Sequence, residues 1–185
     1  SGFAGAEGLR LGLGLDLGFD LTMTSMMVPG ATTGLRLLVD PVRFLRIEPR
    51  VGIATMQSEE EAGPGTVDVV NAVAATTGVG VYVAIPLEKG SVYFGPEYQY
   101  DRVSEETITD EGTVNERTHK EWLNGHLAGA AVGIQRPLAD FVELALHVVL
   151  GGKWTRSQND YWTGGIVERQ GFVVKPTVAV KFYFL

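Results

Sequence analysis

This sequence predicts an all-β fold, a ring of antiparallel up-and-down strands, on three observations. Apolar and polar residues alternate at period two over most of the chain. The alternating segments number eight. Short turns and longer polar connections follow one another, so the short ones fall at one end of the sheet and most long ones at the other. Period two sorts side chains onto the two faces of a strand, whereas a helix would smear the same pattern around its circumference.

The first strand is the clearest. From Leu9 to Met23 every odd position is apolar, and Arg10, Gly12, Gly14, Asp16, Gly18, Asp20 and Thr22 lie between. Its 15 residues far exceed the usual ~5–6. The second strand sets Leu35, Leu37 and Val39 against Arg36 and Asp40. The third sets Leu45, Ile47, Val51 and Ile53 against Arg46, Glu48 and Arg50. The fourth runs Val79, Val81, Val83, Ile85 and Leu87 against Gly78, Gly80, Tyr82 and Ala84. The fifth has Val92, Phe94, Tyr98 and Tyr100 against Tyr93, Gly95, Glu97, Gln99 and Asp101. The sixth is plainer, Ala128, Ala130, Val132 and Ile134 against Leu127, Gly129, Ala131 and Gly133. The seventh alternates Val142, Leu144, Leu146, Val148 and Leu150 with Glu143, Ala145 and His147. The eighth carries Phe172, Val174, Val178, Val180, Phe182 and Phe184 against Lys175, Thr177, Ala179 and Lys181. Tight turns are expected at Asp40–Phe44, Glu88–Ser91 and Arg136–Asp140. Loops are expected at Pro29–Thr33, Ser58–Thr66, Ser104–Lys120 and Thr155–Arg169. Val69–Leu87 carries no charge, but its Gly, Thr, Pro and valine content suits a strand rather than a helix. No linker or second domain interrupts residues 1–185.

Composition narrows the function. The net charge of −7 argues against nucleic acid as a partner, since phosphates call for a basic footprint. The absence of cysteine removes disulfides, thiolate metal sites and cysteine nucleophiles. Glycine, at 24 of 185 residues, is about twice the usual ~7% and has no collagen period, so it serves packing and turns. The opening Ser1-Gly2-Phe3 has no basic segment or apolar core behind it, as in a cytosolic protein or a mature exported chain.

Alternation alone fits two rings, one with the apolar face outward in lipid and one with it inward, as in a lipocalin. Three features favour lipid. The polar face is rich in Gly and Ala, as a narrow lumen requires. Its charges nearly cancel: Arg10, Arg36, Arg46, Arg50, Lys175 and Lys181 against Asp16, Asp20, Asp40, Glu48, Glu97, Asp101 and Glu143. That balance reads as a paired lumen network, with His147 on the same face. Tyr98, Tyr100, Trp122, Trp154, Phe182 and Phe184 gather near strand ends like interfacial girdles. The expectation is an antiparallel up-and-down eight-stranded transmembrane β-barrel, with long loops external and both termini periplasmic.

On these residues the whole chain resembles the small eight-stranded outer-membrane proteins of Gram-negative bacteria, of the OmpA transmembrane domain and OmpX type. Its closing segment Val178-Ala179-Val180-Lys181-Phe182-Tyr183-Phe184-Leu185 looks like the terminal strand signal of that class, although the usual last residue is phenylalanine. The resemblance implies an integral protein of the bacterial outer membrane and names an architecture rather than an activity; membrane lipids, lipopolysaccharide and an envelope protein are the expected partners, and neither a cofactor nor enzymatic activity is expected from the residues. A structural, anchoring or interaction role through the external loops follows, or a place as a subunit of an envelope assembly.

Each candidate for chemistry has a plainer reading. His147 is either a relay or ligand histidine, or a satisfied member of the charge network. His119 and His126 would suggest a metal only if they shared a rim location. Glu59-Glu60-Glu61, Glu105, Glu106, Asp110, Glu111 and Glu116 either bind divalent cations beside lipopolysaccharide or simply solvate the loops. Pro49, Pro96 and Pro176 sit within strands on the apolar face. In a ring without edges each must mark a bulge, a strand end or a weakened seam. In the lipid A palmitoyltransferase family, prolines flank a lateral lipid gate, which makes a lipid-modifying enzyme the runner-up. Ser25, Ser58, Ser104 and Ser157 nevertheless read as ordinary loop serines, without a His/Ser/Asp set at the rim. Gly12-x-Gly14 precedes no helix and is no dinucleotide site. A narrow, low-conductance pore is a further alternative, opposed by Tyr82 and Tyr93 and the charges on the inner face.

Overall fold

The computed structural model describes residues 9–19, 21–22, 31–63, 66–109, 117–159 and 166–184. We number the strands β1 (Arg10–Phe19, with Leu21–Thr22 counted to it), β2 (Ala31–Val42), β3 (Leu45–Gly63), β4 (Thr66–Leu87), β5 (Gly90–Thr109), β6 (Arg117–Ala139), β7 (Val142–Asn159) and β8 (Ile166–Tyr183). Each pairs antiparallel with the next, and β1 pairs with β8 from Gly12–Tyr183 to Gly18–Thr177, so the sheet closes into an eight-stranded ring.

The ring closes with a stagger. Stepping between Cα partners from Leu15 leads through Leu35, Val51, Thr77, Tyr100, His126 and Trp154 to Gln170. Leu15 itself lies opposite Val180, ten residues further along β8. With strands about 4.8 Å apart and a rise of about 3.3 Å per residue, that offset tilts them by about 40°. Each residue then climbs about 2.5 Å along the barrel axis.

The outer wall is apolar. Leu13 is 46% exposed, Ile53 60% and Leu146 53%, and the outward positions of every strand follow suit. A continuous belt of this kind is far larger than the apolar patches water tolerates, and its place is the hydrocarbon of a bilayer. Phe44, Leu138, Phe141, Phe182 and Phe184 edge it at the turn end, and Tyr98, Tyr100, Trp154 and Phe172 at the other. From Phe141 to Trp154 the wall climbs about 30 Å, the scale of a bilayer core.

Three expected loops are mostly strand. The β3–β4 ladder continues through Ser58, Glu59, Glu60 and Glu61 to Gly63–Thr66, and the β5–β6 ladder to Thr109–Arg117. The β7–β8 ladder reaches Gln158–Ile166. Polar composition marked these segments as loops, but a hairpin in water keeps polar residues on its wet face and still forms its ladder. Tyr98 and Tyr100 accordingly sit midway along β5 and mark the membrane edge, while Trp122 stands beyond the girdle on a projecting hairpin. Asp20, Ser25, Asp110, Glu111, Glu116 and Leu185 lie outside the described residues, as do the side chains of Ser58 and Glu59–Glu61.

The prolines cause no bulge. Pro49 stays in register with Val79, Pro96 with Ala130 and Pro176 with Val148. On the opposite side of β3, pairing jumps from Arg36–Arg50 to Val39–Ile47; between β4 and β5 it jumps from Gly80–Glu97 to Val83–Phe94. Each missing N–H leaves a gap on one side only. The register shifts lie at hairpin ends instead, as between Pro137 and Ala139. At the β4–β5 turn only Glu88 and Lys89 are unpaired, and Gly90 takes φ +143°, a value that glycine adopts freely.

Arginine at Leu146, near mid-belt, is expected to cost about 2–4 kcal/mol, and arginine at Leu138, beside a turn, about 0–1 kcal/mol. Urea unfolding of the protein in lipid vesicles measures both. Equal costs would mean that the belt does not lie in hydrocarbon.

Candidate functional site: the charged lumen and the projecting hairpins

The even–odd alternation that turns leucines outward sends the intervening side chains into a bore of only eight strands. There Gly and Ala make room for long neighbours. The Tyr82 ring lies over Gly80 and the Tyr93 ring over Gly133, where a Cβ would overlap each ring. The inward residues are almost wholly buried, with Arg36, Tyr82, Tyr93 and Lys181 at 0% exposure.

Nearest the turns, Asp40 accepts from Arg46 Nε at 2.7 Å and Nη2 at 2.9 Å. Arg10 lies 4.0 Å from Asp40 and 3.7 Å from Glu143, its guanidinium 4.1 Å from the Tyr183 ring centroid. Arg46 also donates to Gln135. One level up, Glu48 takes Lys181 at 2.5 Å and Arg36 at 3.0 Å, while Arg36 Nε donates to Asp16 at 3.0 Å. Next, Glu97 pairs with Arg50, accepts from the Tyr82 hydroxyl at 2.6 Å and lies 2.8 Å from His147 Nε2. His147 Nδ1 is 3.3 Å from the Tyr93 hydroxyl, so both ring nitrogens have partners. Above this, Lys175 donates to Gln99 at 2.9 Å. Asp101 meets Lys153 at 3.3 Å and accepts from Thr76 at 2.8 Å and Gln99 at 2.6 Å. Arg36 and Arg50 are Cα partners, and these like charges share one lumen because Asp16, Glu48 and Glu97 stand beside them.

All the sequence-predicted lumen residues that the structure describes thus face inward, and most ion pairs join different strands, while Arg46 and Glu48 lie 3.8 Å apart on β3 itself. Lys153, Gln99 and Gln135 belong to the same network, and charge counting missed them. Lys153 is found by carrying the parity of Glu143 and His147 past Leu150, into the short stretch between the seventh alternating segment and the loop expected from Thr155. Leu127, Val149 and Val173 pack beside Tyr82 and Tyr93. On the projecting hairpins the interior turns apolar, with Ala54, Ala74, Val103 and Leu123 in contact.

His119 and His126 stand seven residues apart on β6, an odd spacing that puts them on opposite faces. His126 faces outward, its Nδ1 2.7 Å from the Tyr98 hydroxyl. Among the described residues no three His, Asp or Glu side chains converge as a metal site would require. Beyond the girdle, Glu105 and Glu121 are cross-strand partners. Partial burial and the adjacent Glu121 carboxylate push the Glu105 carboxyl above its ordinary value.

No protein-family model matches the chain, and no curated protein does. Solved structures do. A major outer membrane protein from Thermus thermophilus is similar at TM-score 0.66 and 15% identity, covering 96% of this chain and 100% of that one. Ail, the attachment invasion locus protein of Yersinia pestis, solved in complex with the heparin analogue sucrose octasulfate, gives 0.49 and 12%, covering 97% and 100%. Acinetobacter baumannii CarO gives 0.47 and 11%, covering 95% and 98%. The first of these, together with the closed ring and its apolar belt, defines the class: the fold is that of the small eight-stranded bacterial outer-membrane β-barrels.

Two outcomes follow. Lys153→Met should destabilise the barrel by up to about 3–5 kcal/mol, because Asp101 loses the ammonium 3.3 Å away and keeps only the field of Lys175, and adding Asp101→Asn should recover most of the loss. Urea unfolding in vesicles gives the comparison. For Glu105, a folded-state affinity for protons above that of the unfolded chain means stability present at low pH and lost as pH rises through the folded value. Amide protection at the β5–β6 tip should therefore grow as pH falls through the titration of this carboxyl, and Glu105→Gln should flatten that dependence.

Proposed function

We propose that this chain is an integral protein of the bacterial outer membrane that acts outside its lumen. Its turn end would face the periplasm. The three hairpins that project among the described residues would anchor or contact a partner, whether lipopolysaccharide, another envelope protein or the rest of an envelope assembly. The observation that carries this reading is the succession of ion pairs across the bore, from Arg10 and Asp40 at the turn end to Asp101 and Lys153 at the other. Eight strands leave an interior that side chains fill. A bore filled by paired charges plugs the barrel, and the hairpins and lipid-facing wall become the surfaces available for function. The hairpins are well suited to this, because the β5–β6 ladder climbs about 20 Å past Tyr100. The enzyme reading finds less support. The gaps beside Pro49 and Pro96 offer a place for a lateral gate, but the residues at the same register position across them, Leu37 and Val81, carry no proton-transfer group.

Recordings from the purified barrel in planar bilayers test the plug. No steady current is expected from the folded protein. A stable open conductance that grows when Asp101 and Lys153 are both replaced by alanine would mean that the bore conducts and the hairpin reading is wrong.

A further inference from the structure

The outer wall changes chemistry abruptly where β5, β6 and β7 leave the aromatic girdle. Three successive rows of outward-facing Cα partners show it. The lowest reads Tyr100, His126, Trp154; the next Arg102, Asn124, Arg156; the third Ser104, Trp122, Gln158. The middle row offers hydrogen-bond donors. Arg102 is exposed and has no ion pair or hydrogen bond among the described residues, in a chain with more acids than bases. Arg156 has one ion pair, to Glu168 at 4.0 Å, with both side chains more than half exposed, a geometry that water screens to little net worth. The Asn124 side-chain oxygen accepts from the Tyr100 hydroxyl at 2.8 Å, which leaves its NH₂ to donate elsewhere. Arg102 and Arg156 stand two strands apart, about 10 Å, with Asn124 between them.

Position selects the partner. The row sits directly above the rings that edge the apolar belt, where hydrocarbon gives way to headgroups. Acyl chains lying along Tyr98 and Leu150 would bring their own headgroup to this row. Guanidinium groups take phosphate oxygens through paired N–H bonds, and the half-exposed Trp122 adds a flat apolar surface beside them. We propose that Arg102, Asn124 and Arg156 form a docking site for the anionic, phosphate-bearing headgroup of a lipid in the leaflet on the hairpin side. The site rests on the membrane-spanning reading of the barrel and is independent of the plugged lumen.

The test is nuclear magnetic resonance of the folded barrel in phosphatidylcholine nanodiscs, with phosphatidylglycerol replacing part of the lipid in steps. Side-chain N–H signals of Arg102, Asn124 and Arg156 should shift saturably. The exposed double variant Arg102→Gln/Arg156→Gln should weaken the response of Asn124 at least tenfold, and Arg136→Gln at the turn end should leave it unchanged. A linear, unsaturated response, or one that the double variant retains, would overturn the site. Equal shifts from inorganic phosphate in pure phosphatidylcholine would also overturn it, by showing a free-anion site rather than a lipid one. Heat-modifiable migration on gels reports folding separately: a wild-type chain that does not fold in the bilayer refutes the membrane reading, whereas a folded barrel without saturable shifts refutes this site alone.

Discussion

In hydrocarbon a backbone N–H without a partner costs several kcal/mol, so a membrane-spanning sheet has to close on itself. Here the β1–β8 ladder provides that closure, and the ten-residue stagger with which it closes sets the rest of the geometry. Strand number and stagger together fix the tilt and a backbone radius of about 8 Å. They also decide at which height each residue meets the membrane, because partners on neighbouring strands stand at successively greater heights. Tyr100, His126 and Trp154 are Cα partners for this reason and yet climb the wall obliquely.

A bore of that width cannot hold large side chains from every strand, and the chain answers with division of labour. Glycine and alanine face inward where Arg36, Arg50, Tyr82 or Tyr93 cross the lumen. The charges those residues carry are then within reach of carboxylates from other strands, so that Glu48 gathers cations from β2 and β8. A buried ion pair is weak evidence of added stability, but an unpaired charge in the same place is strongly destabilising. The network therefore acts chiefly as a constraint on register: a one-residue slip would turn Arg36 or Glu97 into lipid.

The hairpins obey the same alternation under a different solvent. Past the girdle the wet face becomes polar or charged, with Arg102, Lys120 and Arg156, and the inner face becomes apolar around Val103 and Leu123. This exchange keeps the ladders continuous from membrane into water, with no break at the interface.

Strand number, the two faces and the identity of most lumen residues could be read from the sequence, because period two is local and each inward charge declares itself by standing among leucines. The sequence determined that Arg46, Glu48, Arg50, Glu143 and His147 share the inside. Only the tertiary structure decided that Arg50 and His147 meet at Glu97, from strands far apart in the chain, while Arg46 turns to Asp40 across its own hairpin, since the heights of inward side chains depend on the stagger of closure. Strand ends were hidden for a related reason. Ser104–Thr109 and Arg117–Lys120 are polar on the wet face, and pairing across the hairpin, which no single segment displays, makes them strand. Lys153 was hidden with them, one turn of the alternation past the point where composition alone ceases to speak.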